Sequence, residues 1–162
     1  AAARAIGIEH GPTTTQVIFT DDGLLLGNLS ARVGGGHAAE LCRVALGVVA
    51  NALAVVDALG EEAQPHELAP TARVGGACVL FLVARPGELR EVRGLERAAA
   101  VEGVRGIRSY RQPGHVFSEL RRASDRAGAI LATGEGRDEA LAAAREAASR
   151  IEFGGGAVKA LA

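Results

Sequence analysis

The 162-residue chain has no tryptophan, one tyrosine and four phenylalanines, so aromatic side chains make up only 3% of it. Nucleic-acid surfaces rely on stacking aromatics and a basic excess. The basic excess is missing as well: 18 Lys and Arg stand against 19 Asp and Glu. Nucleic acid is therefore not an expected partner. With so few aromatics, the core has to be built from Ala, Val, Leu and Ile, and a hydrophobic share of 48% supplies enough of them. The two cysteines, Cys42 and Cys78, sit in apolar runs and fit neither a metal nor a disulfide spacing. No long hydrophobic run exists either. The longest uncharged apolar stretch, residues 44–56, contains Asn51 and has 13 residues, where a membrane span needs about 20. No apolar signal-type run follows Arg4. These absences point to a cytoplasmic protein without a membrane partner.

What is present is organised in two parts. Residues 1–8 read as the end of a helix, and His10-Gly11-Pro12 as a turn. Residues 13–20, rich in β-branched side chains, and residues 24–32 read as strands around the turn signal Asp21-Asp22-Gly23. Gly34-Gly35-Gly36 precedes a helical pattern opening at His37, which continues past Gly47 as a helix pair or one kinked helix. The segment 61–70, with two prolines, is the best internal boundary, giving parts 1–70 and 71–162. In the second part, residues 77–84, 89–93, 104–111 and 127–133 read as strands. Residues 95–100 and 138–151 read as helices, the latter with Leu141, Ala144, Ala148 and Ile151 on one stripe. The fold class is α+β. His10, His66 and His115 lie beside prolines or glycines and read as loop residues, and Ser118, Ser124 and Asp125 lack the spacing of a nucleophile elbow.

The hairpin can be registered from the sequence. A three-residue loop ending in Gly23 pairs Thr20 with Leu24 and, counting back, sets Gln16 opposite Asn28. Strict alternation then places Asn28, Ser30 and Arg32 on one face with Leu24 and Leu26, with Gln16 joining from the partner strand. The Gly-rich turn after Arg32 leads into a helix N-terminus, where free N–H groups and the helix dipole favour an anion.

These residues also carry a resemblance. Ile6-Gly7-Ile8, His10-Gly11-Pro12, the strand with Gln16, the Asp-Asp-Gly turn and the run from Asn28 to His37 come in the order seen in ATP-grasp enzymes. The chain is most similar to the C-terminal half of the L-amino-acid ligase branch, with biotin carboxylase as a cousin. The second part adds Pro86-Gly87, Gln112-Pro113-Gly114, residues 124–128 and Ala132-Thr133-Gly134, similar to the C-terminal subdomain of those ligases. The resemblance implies an antiparallel sheet with helices followed by a small α+β subdomain.

The resemblance also implies a metal site that this chain has lost. The family's first metal-binding Glu falls on Gln16, its second on Asn28 and its Asn on Ser30, while its Arg is kept as Arg32. Magnesium is held through carboxylates and substrate phosphates, and amides supply no net charge. No metal is therefore expected, and Mg and ATP are expected only if a partner completes the site. The adenine-binding lobe of the family has no counterpart here, which suggests a split or truncated gene. Gln16, Asn28, Ser30, Arg32, Gly34, Gly35, Gly36 and His37 become the expected ligand site, with one fixed cation, several backbone donors and no acidic side chain on the hairpin face. No catalytic residue is assigned. Two functions follow. One is a non-catalytic pseudoenzyme binding a small anionic metabolite or antibiotic, fitting a place in antibiotic biosynthesis or resistance. The other is a ligase component whose partner chain brings the adenine lobe and metal ligands. Either is expected as a homodimer or with that partner. Calorimetric titration of the chain with millimolar Mg-ATP is expected to be flat; a micromolar dissociation constant would contradict the reading.

Overall fold

The computed structural model describes residues 2–154, 156–157 and 159–161, and the chain divides into two compact units, Ala1–Ala72 and Arg73–Ala162. The first unit holds α1 (Ala2–Ala5), the hairpin β1 (Thr14–Thr20) and β2 (Gly23–Ser30), then α2 (Ala38–Leu46), α3 (Ala50–Ala58) and α4 (Pro65–Leu68). The second contains β3 (Gly76–Val83), β4 (Gly87–Glu88), β5 (Val92–Arg93), α5 (Leu95–Ala99), β6 (Val104–Ser109), β7 (Val116–Phe117), β8 (Gly128–Gly134) and α6 (Arg137–Ser149). It ends with β9 (Glu152–Phe153), β10 (Gly156–Ala157) and β11 (Lys159–Leu161). The fold is α+β with antiparallel pairing throughout the described strands.

The hairpin turn is one residue tighter than the sequence suggests. Thr20 pairs with Gly23, so the loop is Asp21-Asp22 and not three residues, and the register runs Phe19↔Leu24, Ile18↔Leu25, Val17↔Leu26. A bulge at Gly27 then takes up one extra residue, so that Gln16 meets Asn28 after all. The bulge also changes the faces, because an inserted residue shifts the alternation beyond it. Asn28 and Ser30 share a face with Gln16, Ile18 and Leu25, not with Leu24 and Leu26. Consistent with this, a Cβ on Gly27 would lie 3.2 Å from Ile18 Cδ1 and 3.6 Å from the Gln16 side chain. β2 stops at Ser30, so Arg32 lies beyond the sheet and not on its face.

Helix α2 starts one residue later than expected, at Ala38, and ends where Gly47 (φ 75) donates its N–H to Arg43 O. The chain then turns by 112° into α3. The residue type explains the break, since a left-handed φ at the end of a helix suits glycine. No single described helix is long and apolar enough to cross a membrane. His66, expected in a loop, lies in α4, whose Gln64–Glu67 capping box closes its first turn.

None of the described residues of the first unit is buried. The six apolar residues of the central hairpin pairs are all substantially exposed, from 45% for Val17 to 82% for Phe19. The core lies in the second unit. Its sheet runs β11-β3-β8-β6, and α6 covers it with Ala140, Ala144, Ala147 and Ala148. Of the expected stripe, Ala144, Ala148 and Ile151 are buried and Leu141 packs partly buried against the core, and Ala140 and Ala147 widen the buried face. Alanines and glycines let the helix come close. A Cβ on Gly76 would fall 2.2 Å from the Gly136 carbonyl carbon, and one on Gly134 2.8 Å from Ala140 N. Of the expected strand 89–93 only Val92–Arg93 (β5) is a strand, pairing with β9, while β4 lies just before that segment and pairs with β7 in a second small sheet. There Phe117 meets Phe153 edge to face, with centroids 6.1 Å apart.

Cys78 faces α6, where its thiol donates to Ala140 O at 3.2 Å. Burial pushes its pKa up, so it stays a neutral core thiol.

The two units predict different responses to truncation. Leu82→Ala, at a fully buried position, is expected to cost about 2–5 kcal/mol. Leu25→Ala, 57% exposed, is expected to cost about 0.5 kcal/mol or less. Chemical denaturation of both variants checks this, and equal losses would show that the hairpin is covered in solution.

Candidate functional site

The expected site residues lie in the first unit along one continuous path from the end of the hairpin into α2. Gln16 is cross-strand from Asn28, and Ser30 Oγ donates to Asn28 Oδ1 at 3.5 Å. Beyond the strand, Ser30 O accepts from Arg32 N at 3.0 Å, which bends the chain away from the sheet. Thr14 fixes that bend: its hydroxyl donates to Arg32 O at 2.8 Å. Thr14 was not among the expected site residues. It could have been found, since it sits two positions before Gln16 and so on the same face of β1.

The Gly-rich turn is compact at its start and open at its end. A Cβ on Gly34 would approach Ala38 Cβ to 2.9 Å and Thr14 Oγ1 to 3.4 Å, so this position has no room for a larger residue. Gly35 and Gly36 are exposed, and a Cβ on Gly35 would lie 3.9 Å from Arg32 Nη1. The guanidinium therefore folds back beside the turn, donating to Val33 O at 3.1 Å. Gly36 (φ 65) and His37 (φ 65) both adopt the left-handed conformation, which costs a non-glycine residue about 1–2 kcal/mol. Among the described residues, the N–H groups of Gly34, Gly35 and Gly36 donate no backbone hydrogen bond. Three successive donors, an exposed guanidinium and the start of α2 thus lie together, an arrangement that suits an oxyanion.

An acidic group lies next to the turn, off the hairpin face: Glu40, in the first turn of α2, contacts His37 Nδ1 through its carboxylate. His37 is held by this contact and is not displayed as an isolated base. Arg32 remains the exposed cation of the turn.

The metal implied by the resemblance can be tested on these residues. The positions where it would be held carry two amides and a hydroxyl, which offer neutral oxygens. Among the described residues no group of three or more His, Cys, Asp or Glu could hold a metal ion. Magnesium, a hard cation that selects carboxylates, does not fit here.

Comparison with known proteins agrees with the architecture. Residues 79–154 match the L-amino acid ligase C-terminal domain 2. The L-amino acid ligase from Bacillus licheniformis superposes with a TM-score of 0.73 at 21% identity, over 94% of this chain and 38% of that one. The chain has the fold of the C-terminal half of an ATP-grasp ligase. Phosphoribosylglycinamide synthetase from Anaerococcus prevotii is similar too, with a TM-score of 0.78 at 17% identity over 94% of this chain and 39% of that one. Protein y4rH of Sinorhizobium fredii, itself uncharacterized, is 26% identical over 153 residues, which is 93% of this chain and 31% of that protein. The chain thus spans about a third of the length of the relatives it matches.

In this ATP-grasp-like half, Arg32 is the group whose removal should be felt most. Charge-assisted hydrogen bonds contribute about 1.5–3 kcal/mol, and each 1.4 kcal/mol is about tenfold in affinity. Arg32→Ala is therefore expected to weaken inorganic phosphate binding tenfold or more, read by calorimetry or by phosphorus NMR titration. An unchanged phosphate affinity would place the anion site elsewhere.

Proposed function

We propose that the chain is a metal-independent binder of a small anionic metabolite, derived from the ATP-grasp carboxylate–amine ligases to which it is related. What supports this reading is that the chain has Gln16, Asn28 and Ser30 where the resemblance puts the metal-holding side chains, while Arg32 and the glycine turn offer a guanidinium and open N–H groups. Removing two carboxylates from a site reverses its preference by simple electrostatics: a place that concentrated cations now favours a carboxylate or phosphate. The partly closed His37–Glu40 pair reduces this effect at the helix end but leaves the Arg32 side positive.

A second reading is favoured by a different observation. The first unit buries none of its described residues and leaves the hairpin apolar on both faces. Apolar patches of that kind mark surfaces made to be covered. The chain would then act as the acid-binding component of an ATP-dependent carboxylate–amine ligase, with ATP and magnesium held by a further lobe, in the same protein or on a partner chain. The two readings share the anion site and differ in whether anything completes it.

The double variant Gln16→Glu, Asn28→Glu separates this proposal from a merely structural role for the two amides. It is expected to weaken phosphate binding at least tenfold and to create a measurable magnesium affinity, followed by calorimetry with each ion alone. If the carboxylates leave phosphate affinity unchanged, the amides do not belong to the site.

A further inference from the structure

We propose that a groove in the first unit, separate from the Arg32 turn, docks a second copy of this chain through that copy's 118–122 loop. The groove lies between α3, the His10-Gly11-Pro12 turn and the segment that follows α3, with a volume of about 750 Å³. Its lining includes apolar Leu53, Ala54 and Leu68 together with the carboxylates of Asp57, Glu61 and Glu62. Gly11 (φ 89) keeps the turn close, so that a Cβ there would lie 3.6 Å from Asp57 Oδ2. None of the three carboxylates takes part in an ion pair among the described residues. Apolar lining beside carboxylates without an ion pair favours an occupant that offers both an apolar and a cationic side chain.

The chain carries such an element in its other unit. Residues 118–122 form an irregular stretch in which Leu120, 39% exposed, lies between the exposed Glu119 and the exposed Arg121 and Arg122. Arg122 Nε is also 3.5 Å from Asp125 Oδ1. The stretch is held in shape, because Asp125 accepts the N–H groups of Arg121 and Arg122 at 3.0 Å each. A loop already ordered before contact loses less entropy on docking. The wider charge distribution points the same way. The first unit has eight acidic and three basic side chains, a net charge of −5, and the second eleven acidic and fifteen basic, a net charge of +4. Head-to-tail contact between copies therefore brings opposite fields together. The contact joins two different surfaces, so it closes into a ring or extends into a chain of copies.

Light scattering coupled to size exclusion on the full chain tests this. At low salt the mass is expected to exceed 16.5 kDa, and to fall towards that value near 1 M salt, where the Debye length is about 3 Å. Glu61→Arg with Glu62→Arg, and separately Arg121→Glu with Arg122→Glu, should each raise the association midpoint at least tenfold while leaving circular dichroism unchanged. All four positions are exposed, and the milder Glu61→Gln, Glu62→Gln pair should act in the same direction. An equimolar mixture of the two charge-reversed proteins is expected to associate again, since each offers the surface the other needs. A monomer at every concentration overturns the proposal. So does association that salt leaves unchanged or strengthens, or that survives both reversals, since these would place the contact on the apolar hairpin.

Discussion

Close approach of α6 to strands β3 and β8 is the contact on which the second unit depends. It is made by alanines on the helix and glycines at the strand ends, which leave the backbones near enough that a single added methyl at Gly76 would collide with Gly136. Such packing suits a chain with 3% aromatics, because small side chains fill space well only when the elements carrying them are close. Two of the few aromatic residues, Phe117 and Phe153, pack edge to face away from this contact.

The first unit is built on a different principle. Its regular elements are held by backbone hydrogen bonds and helix caps, and its apolar side chains stay half open. A two-stranded hairpin is marginal in water by itself, and here its apolar side chains are exposed on both faces.

The proposed function rests on residue chemistry within that fold. An ATP-grasp-like half with carboxylates at the hairpin end would hold a metal. With amides there, the remaining strong features are a guanidinium, three open N–H groups and a helix start, all of them attractive to anions. Thr14 links the two halves of this arrangement by tying the first strand to the backbone at Arg32.

The sequence by itself determined the α+β class, the order of nearly every element, the Gly-rich turn and the family resemblance. These depend on local patterns: periodicity, turn residues and motif order. It also set Gln16 opposite Asn28, but by a route the structure replaces. A two-residue loop and a bulge at Gly27 give the same pair that a three-residue loop would give, and the two routes differ in which face Asn28 and Ser30 occupy. Only the tertiary structure decided that face, because bulges arise from strand twist and pairing and have no local signature beyond a glycine. It likewise decided that Arg32 leaves the sheet, that Glu40 joins His37 and that Ala140 and Ala147 turn inward beside the expected stripe. It alone showed the groove beside α3, since residues from 10 to 68 meet there through folding. Contacts between residues far apart in sequence are set by packing, and packing is the part of the physics that local pattern cannot express.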